Sequence, residues 1–393
     1  MSRSVYIIGS KGIPAKYGGF ETFVEKLVTN QKNRELQYNI ACLRENSLKS
    51  GIEDDFFTFK GANCFNIDVP KIGASKAVLY DILALRKAIE ISKAKKDINP
   101  IFYILACRIG PFISIYKKKI KDINGSLFVN PDGHEWLREK WIKPIRLYWK
   151  YSEKLMVKKS DLMVCDSKNI EKYVQSQYST YNPRTTYIAY GTDLNKSNYA
   201  YNDDIVRNWY REKGVVEMDY YLVVGRFVPE NNYESMLKEF MKSKTKKKFV
   251  LITNVEHNKF YERLKKVTDF ENDKRIIFVG TVYNQDLLKY IRENAFAYFH
   301  GHEVGGTNPS LLESLMSTKV NLLLDIGFNK EVAGNSAIYW NKTNLNTKIS
   351  EVENKTAQEI SNLDKLSSDC IKKNFTWDII VDKYEKLFLR WSS

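Results

Sequence analysis

Three segments of the chain bring together glycines, a fixed positive charge and a carboxylate in patterns suited to a phosphorylated ligand. The first is Gly9-Ser10-Lys11-Gly12-Ile13-Pro14-Ala15-Lys16-Tyr17-Gly18-Gly19-Phe20-Glu21, set between the apolar run Val5-Tyr6-Ile7-Ile8 and a helical repeat at Phe20, Phe23, Val24 and Leu27. Glycines at a strand-to-helix turn let backbone N–H groups approach an anion, and the helix N-terminus adds positive potential. The spacing fits neither the Walker A pattern nor GxGxxG, which weakens ATPase and dehydrogenase readings; a turn required for backbone geometry alone is an equal alternative. The second segment is Gly225-Arg226, directly after a strand-like run and ahead of Pro229-Glu230-Asn231-Asn232. An arginine at the carboxyl end of a parallel strand can hold a diphosphate in its planar fork, the alternative being an ion pair with Glu230 or Glu234.

The third segment is the most specific: His300-Gly301-His302-Glu303-Val304-Gly305-Gly306-Thr307-Asn308-Pro309-Ser310-Leu311-Leu312-Glu313-Ser314-Leu315. A strand ends in a glycine-rich loop and Pro309 suits the first turn of the helix that follows. The amides of Gly305 to Asn308 can bind a diphosphate, and Glu313, one turn further on, can accept hydrogen bonds from a sugar hydroxyl. His300 and His302 offer two metal ligands, but no third is evident, and a loop that needs glycines suits phosphate better.

These segments need elements to position them. Strand-like runs at Val5–Ile8, 40–43, 101–105, 127–129 and 162–165 alternate with helical periodicity, and a second series follows at 220–224, 249–252, 276–279, 297–299 and 320–324. That alternation predicts parallel sheets covered by helices. One such helix carries Val78, Leu79, Ile82, Leu83, Leu85 and Ile89 at helical spacing, with Lys76, Asp81, Arg86 and Lys87 off that face. The polar stretch from Thr192 to Val216 reads as the interdomain connection. The expected fold class is α/β, with two Rossmann-like domains facing across a cleft.

Composition narrows the partners. With 393 residues and 43% hydrophobic content the chain can bury two cores. Its formal charge of +15 calls for an anionic partner: nucleic acid, anionic lipid or a sugar nucleotide. Base-stacking and helix-turn-helix signatures are absent despite 25 tyrosines, so nucleic acid is not expected. The cysteines Cys42, Cys64, Cys107, Cys165 and Cys370 form no CxxC pair and read as reduced thiols of a cytosolic protein. No apolar run reaches membrane-spanning length and no signal peptide is evident, so membrane contact is expected to be peripheral. The best candidate for it is Lys117, Lys118, Lys119 and Lys121, just after Phe112, Ile113, Ile115 and Tyr116, which could add a shallow insertion face or equally pack against the first sheet.

Taken in combination, Gly9 to Pro14 with Gly18 to Glu21, Asn130-Pro131-Asp132-Gly133-His134-Glu135-Trp136, Asp166-Ser167-Lys168, Tyr190 to Asp193, Gly225 to Asn232, Gly280, Gly305 to Glu313 and Phe375-Thr376-Trp377 carry a family likeness. The chain resembles the GT-B retaining glycosyltransferases numbered four in the usual classification, and within them the bacterial rhamnosyltransferases of polysaccharide assembly. The resemblance implies an N-terminal acceptor-side domain (1–195), a C-terminal nucleotide-sugar-binding domain (196–375) and a C-terminal helix (376–393) crossing back to the first domain. It implies Arg226, His134 and Glu313 as catalytic residues. The donor would be bound by Gly18, Gly19, Arg226, Gly280, Gly305, Gly306, Thr307, Asn308 and Glu313, and Lys11, Asp132 and Glu135 would lie on the acceptor side. By position Glu313 matches the glutamate that binds the nucleotide ribose, Arg226 the arginine that neutralises the donor diphosphate, and His134 the loop that reaches the donor sugar. Two departures stand out: the family's first glutamate falls at Gly305 and its lysine at Asn231, changes the rhamnosyltransferase branch shares. Glu303 could replace the missing carboxylate or be a solvent-exposed loop residue.

The implied reaction moves L-rhamnose from dTDP-rhamnose to a polyprenyl-diphosphate-linked sugar at the inner face of the cell membrane, for capsule or cell-wall polysaccharide, with no cofactor. No Asp-x-Asp occurs in the chain, so no metal site is expected. Leaving-group charge would be met by Arg226, Lys11 and the Gly305–Asn308 amides, each well-aimed donor supplying about 3 kcal/mol. The departing phosphate oxygen could itself deprotonate the acceptor, which removes the need for a protein base. Two other classes stay open, a nucleotide-sugar epimerase of GT-B fold and a basic nucleic-acid-binding protein.

Overall fold

A computed structural model describes residues 2–16, 18–138, 141–255 and 257–392. The chain divides into two compact units, one formed by residues 1–191 with 377–393 and the other by 192–376. Each is built on its own sheet.

In the N-terminal unit the strands are β1 (Arg3–Ile8), β2 (Leu36–Leu43), β3 (Phe56–Phe59), β4 (Ala62–Ile67), β5 (Ile101–Leu105), β6 (Ser126–Asn130), β7 (Leu162–Cys165) and β8 (Thr185–Tyr187). They lie in the order β3-β4-β2-β1-β5-β6-β7-β8, parallel throughout except for the β3–β4 hairpin. That hairpin turns on Lys60 and Gly61, both at positive φ, the geometry a two-residue connection requires. The central strands β5 and β6 are buried along their whole length, as parallel strands covered by helices on both faces should be. The last helix, Trp377–Arg390, belongs to this unit: the Tyr384 ring lies 5.1 Å from Phe23 and 6.0 Å from Tyr103, and Phe388 lies 6.2 Å from Phe128. Glu385 of the same helix accepts the Lys32 amide at 2.7 Å, and Arg3 donates to the Phe388 and Trp391 carbonyls at 2.7 and 2.8 Å.

In the C-terminal unit β9 (Tyr220–Val224), β10 (Lys248–Ile252), β11 (Ile276–Gly280), β12 (Ala297–His300), β13 (Asn321–Leu324) and β14 (Ile338–Trp340) form one parallel sheet ordered β11-β10-β9-β12-β13-β14. The unit's two ends meet, because the Thr192 amide donates to the Phe375 carbonyl at 2.7 Å and Thr192 bridges Thr376.

Two readings of the sequence need correction. The polar stretch at 192–216 is not all linker: it contains the helix Asp204–Lys213, whose Val206, Trp209 and Tyr210 pack into the C-terminal unit's core. Three apolar residues at helical spacing suffice to bury it despite its polar surroundings. In the helix Lys76–Lys95 the buried face is Tyr80, Asp81, Ala84, Leu85, Ala88, Ile89 and Ser92, so Asp81 points inward while Ile82 and Leu83 are only half-buried. Asp81 is accommodated there by its ion pair with Arg108 at 3.0 Å.

Both sheets reverse their strand order once, between β1 and β5 in the first unit and between β9 and β12 in the second. In open parallel sheets the loops at the carboxyl ends of the strands flanking such a reversal form the ligand crevice. The Gly9–Gly19 loop follows β1, Arg108 lies just past β5, Gly225–Asn232 follows β9, and Gly301–Asn308 follows β12. Among the described residues, no helix is long and apolar enough to cross a membrane.

Candidate functional site

At the reversal in the C-terminal unit, the loops after β9 and β12 are fastened to one another. Asn232 Nδ2 donates to the Gly301 carbonyl at 2.8 Å, Glu303 N donates to the Glu230 carbonyl at 3.1 Å, and Asn231 Oδ1 lies 2.8 Å from His302 Nδ1. Gly301 is required here, since a Cβ would stand 2.3 Å from the Asn231 carbonyl oxygen. Asn231 also donates to the Arg226 carbonyl at 2.6 Å, which fixes the turn that carries Arg226. The Arg226 side chain is exposed and pairs with no described residue; of the expected alternative partners, Glu230 is buried and Glu234 is bound to Lys238 and Arg263.

Gly305 adopts φ 132° and Asn308 caps the helix Pro309–Ser317, accepting from the Ser310 amide at 2.9 Å. That helix has no acidic residue in its first turn, so its positive end is left without a carboxylate of its own. Neither Gly305 N nor Gly306 N donates to a described residue. Glu313 extends from this helix and is half-exposed, held at 2.7 Å by Arg292, whose side chain is only 4% exposed. Arg292 also donates to Ser310 Oγ at 3.2 Å; Ser310 Oγ and Tyr298 Oη are 2.8 Å apart, and each reaches the Val224 carbonyl at 3.0 Å. Arg292, Ser310 and Tyr298 were not singled out from sequence, because their partners are far apart along the chain. Glu303 is half-buried and paired with Lys342 at 2.8 Å. His300 is buried beneath the loop, and burial followed by the neighbouring His302 pushes its pKa down to about 3, so the ring is neutral. Gly280 ends β11 with φ 78°.

In the N-terminal unit the glycine loop is closed by its own carboxylates. Glu21, buried at the start of the helix Gly19–Thr29, accepts the Lys11 amide at 2.7 Å, and Glu25 accepts the Ala15 amide. Gly18 has φ 128°, and a Cβ there would stand 1.9 Å from Glu21 Oε2; Gly19 has open space where a Cβ would be. Lys11 is exposed. Asp132 takes positive φ after β6, with its amide bonded to Asn130 Oδ1 at 2.7 Å. Glu135 is engaged by Arg138 and by Trp141 Nε1, each at 2.7 Å, so it shapes its own loop. The His134 ring meets Tyr173 edge-on at 4.4 Å, and burial is the main cause that lowers its pKa. Tyr173 in turn donates to the buried Glu153 at 2.6 Å.

In the basic helix Gly110–Lys121 one lysine departs from expectation, and of the two alternatives for the apolar residues Ile113 takes the packed one. Lys117 is paired with Asp161 and Ile113 is fully buried, leaving Lys118, Lys119, Lys121, Phe112 and Ile115 on the surface. The helix Lys143–Lys159 packs beside it and exposes Leu147 and Tyr151.

Residues 2–193 match a family model described as a domain of unknown function, DUF1972. An uncharacterized glycosyltransferase of Methanocaldococcus jannaschii is 24% identical over 287 residues, which is 70% of this chain and 68% of the relative. Sucrose-phosphate synthase from Thermosynechococcus elongatus superposes with a TM-score of 0.75 at 15% identity, over 99% of this chain and 98% of the other. The α,α-trehalose 6-phosphate synthase of Burkholderia multivorans gives 0.75 at 9% identity over 99% and 96%. The fold is GT-B. HepE of Anabaena, solved in complex with UDP-glucose, shares this fold with a TM-score of 0.70 at 12% identity over the full length of both chains.

Proposed function

We propose that this protein is a retaining glycosyltransferase whose C-terminal GT-B unit binds a nucleoside-diphosphate sugar. One observation carries the reading. At the strand-order reversal of that unit, the loop carrying the exposed Arg226 is fastened to the loop whose Gly305 and Gly306 amides meet no described partner, and the helix that follows, which carries Glu313, has no acid in its first turn. Arg226 and the amides would take the diphosphate and stabilise the charge that develops as it leaves, and Glu313 would accept from the ribose hydroxyls. Thr307 and Asn308 would order the loop and Gly280 would give the nucleotide room at the end of β11, while Gly18 and Gly19 would serve the turn of the first unit's own loop. His134, uncharged, would serve as a hydrogen-bonding group for the donor sugar, with Lys11, Asp132 and Glu135 on the acceptor side. The leaving phosphate oxygen would take the acceptor proton on the face it departs from.

The donor we propose is dTDP-rhamnose and the acceptor a polyprenyl-diphosphate-linked sugar. The support is the resemblance together with Asn231 and Gly305, which stand where a lysine and a glutamate would offer a hexose more polar contacts. An anionic leaflet would be met by Lys118, Lys119 and Lys121 beside Phe112 and Ile115, each lysine contributing about 1 kcal/mol. Incubation of the purified protein with a panel of nucleotide sugars and a short lipid-diphosphate sugar, read by mass spectrometry, tests the whole reading. Rhamnosyl product from dTDP-rhamnose, insensitive to EDTA, is the expected outcome. Product from UDP-glucose alone would replace the donor and keep the reaction class, and epimerised nucleotide sugar without transfer would overturn it.

A further inference from the structure

One cation at the other strand-order reversal has no role in the scheme above. Arg108 lies three residues past the end of β5, beside the loop that leaves β1. Its Nη1 donates to the Gly9 carbonyl at 3.0 Å, to the Leu105 carbonyl at 3.2 Å and to Asp81 Oδ2 at 3.0 Å. All three bonds use one nitrogen, and Nε and Nη2 meet no described partner. Asp81 is wholly buried while the Arg108 side chain keeps 19% of its surface exposed, so the guanidinium is gripped from behind with one edge unspent.

The surrounding backbone is held as firmly. Ser152 Oγ accepts the Gly110 amide at 2.8 Å and donates to the Cys107 carbonyl at 2.7 Å, and Tyr148 Oη donates to the Arg108 carbonyl at 2.8 Å. Gly110 leaves no room for a side chain against the Ser152 backbone. A buried ion pair adds little net stability once desolvation is counted, since an apolar pair of similar volume would serve as well. A rigidly mounted guanidinium with two donors in reserve is instead suited to bidentate capture of a phosphoryl group. Asp132 and Glu135, the acceptor-side candidates, lie within electrostatic range of it.

We propose that Arg108 is an anion-binding residue of the N-terminal unit that takes a phosphoryl oxygen of a diphosphate-linked acceptor, with Asp81 as the buried residue that positions it. This assignment rests on the glycosyl-transfer reading for its biological role but not for its chemistry. The test compares the wild type with Arg108→Gln and Arg108→Lys on two acceptors bearing the same sugar, one on a short prenyl diphosphate and one on a neutral octyl chain. The ratio of kcat/KM for the charged over the neutral acceptor should fall at least tenfold in Arg108→Gln and less in Arg108→Lys. An unchanged ratio, or a rise confined to the donor KM, would overturn the assignment. If the wild type glycosylates neither acceptor, the transfer reading fails and calorimetry with the prenyl diphosphate alone decides the residue's role. Weaker binding by the variants than by the wild type then supports Arg108, and equal affinity or no binding by either overturns it. Should Arg108→Gln not fold, as judged by its melting transition, Arg108→Lys carries the same comparison.

Discussion

Two glycine-rich loops follow strands at the reversals of two parallel sheets, yet they are finished differently. After β1, Glu21 sits at the first turn of the following helix and, with Glu25, takes up loop amides. After β12, the following helix has no acid in its first turn, and Gly305 N and Gly306 N are left without a described partner. A helix N-terminus is favourable to an anion whichever molecule provides it. The first unit provides its own carboxylate, and the second leaves its loop amides open, as the proposed diphosphate site requires. Glycine content alone therefore does not separate a loop that binds phosphate from one that only needs the backbone conformation. The nearest carboxylate does.

This comparison is broken most directly at Arg226. Arg226→Ala should lower kcat at saturating donor by on the order of a hundredfold with the melting temperature unchanged, because the side chain is exposed and supports nothing else. Normal turnover would remove the second loop's claim to the diphosphate. Next in size, Glu313→Ala should lose most donor affinity and also some stability, since it strips the partner from the buried Arg292. Glu313→Gln should recover part of both, and a drop in stability with unaltered donor binding would make the pair purely structural.

The glycines sharpen the contrast. Gly301→Ala sets a Cβ against the Asn231 carbonyl and should disrupt the loop and donor binding together, while Gly19→Ala meets open space at an exposed helix start and should leave the melting temperature unchanged or slightly raised. Loss of donor affinity in Gly19→Ala would restore the first loop as a phosphate site.

The smallest effect is on pH dependence, where the two units should respond with opposite sign. His300 stays neutral when folded, with a pKa pushed down to about 3 by burial, but takes a proton in the unfolded chain below about 6.5; its contribution is lost as pH falls through that interval. Asp81, raised to about 6 by burial against the opposing pull of Arg108, binds its proton more tightly when folded; its contribution is full below about 4 and lost as pH rises through about 6. Chemical denaturation from pH 4 to 7 should therefore show a shallower slope of one sign in His300→Gln and of the other in Asp81→Asn, each change being at most about 1.4 kcal/mol per pH unit.

What could be read from the chain follows from how local each signal is. Val5 to Ile8, Ile101 to Leu105 and Tyr220 to Val224 are unbroken apolar runs, and the residues just past them, Gly9, Gly225 and Arg226, are placed by adjacency alone. The strands β3, β4, β8 and β14 carry weaker signals: β4 interleaves Asn63 and Asn66 with its apolar residues, and β8 and β14 are three residues long. The Arg108–Asp81 and Arg292–Glu313 pairs are separated by 27 and 21 positions in sequence, with each member on a different element, so no spacing rule connects them. Asp81 reads as solvent-facing for a related reason: a carboxylate on a helix points outward unless a buried partner such as Arg108 holds it in.

The meeting of Thr192 with Phe375 and Thr376 has a further consequence. A segment that starts and finishes at one point is a cassette: residues 192–376 could be excised, closed on a short linker or exchanged for those of a relative without asking the rest of the chain to be rethreaded. The helix Trp377–Arg390 sets the condition on such an exchange, because Tyr384 and Phe388 fill the core of the other unit, and a chain that stopped after the cassette would leave that core open. On the proposed assignment of donor to one unit and acceptor to the other, the two choices could be inherited as separate parts, with the last fourteen-residue helix as the piece that must travel with the acceptor's.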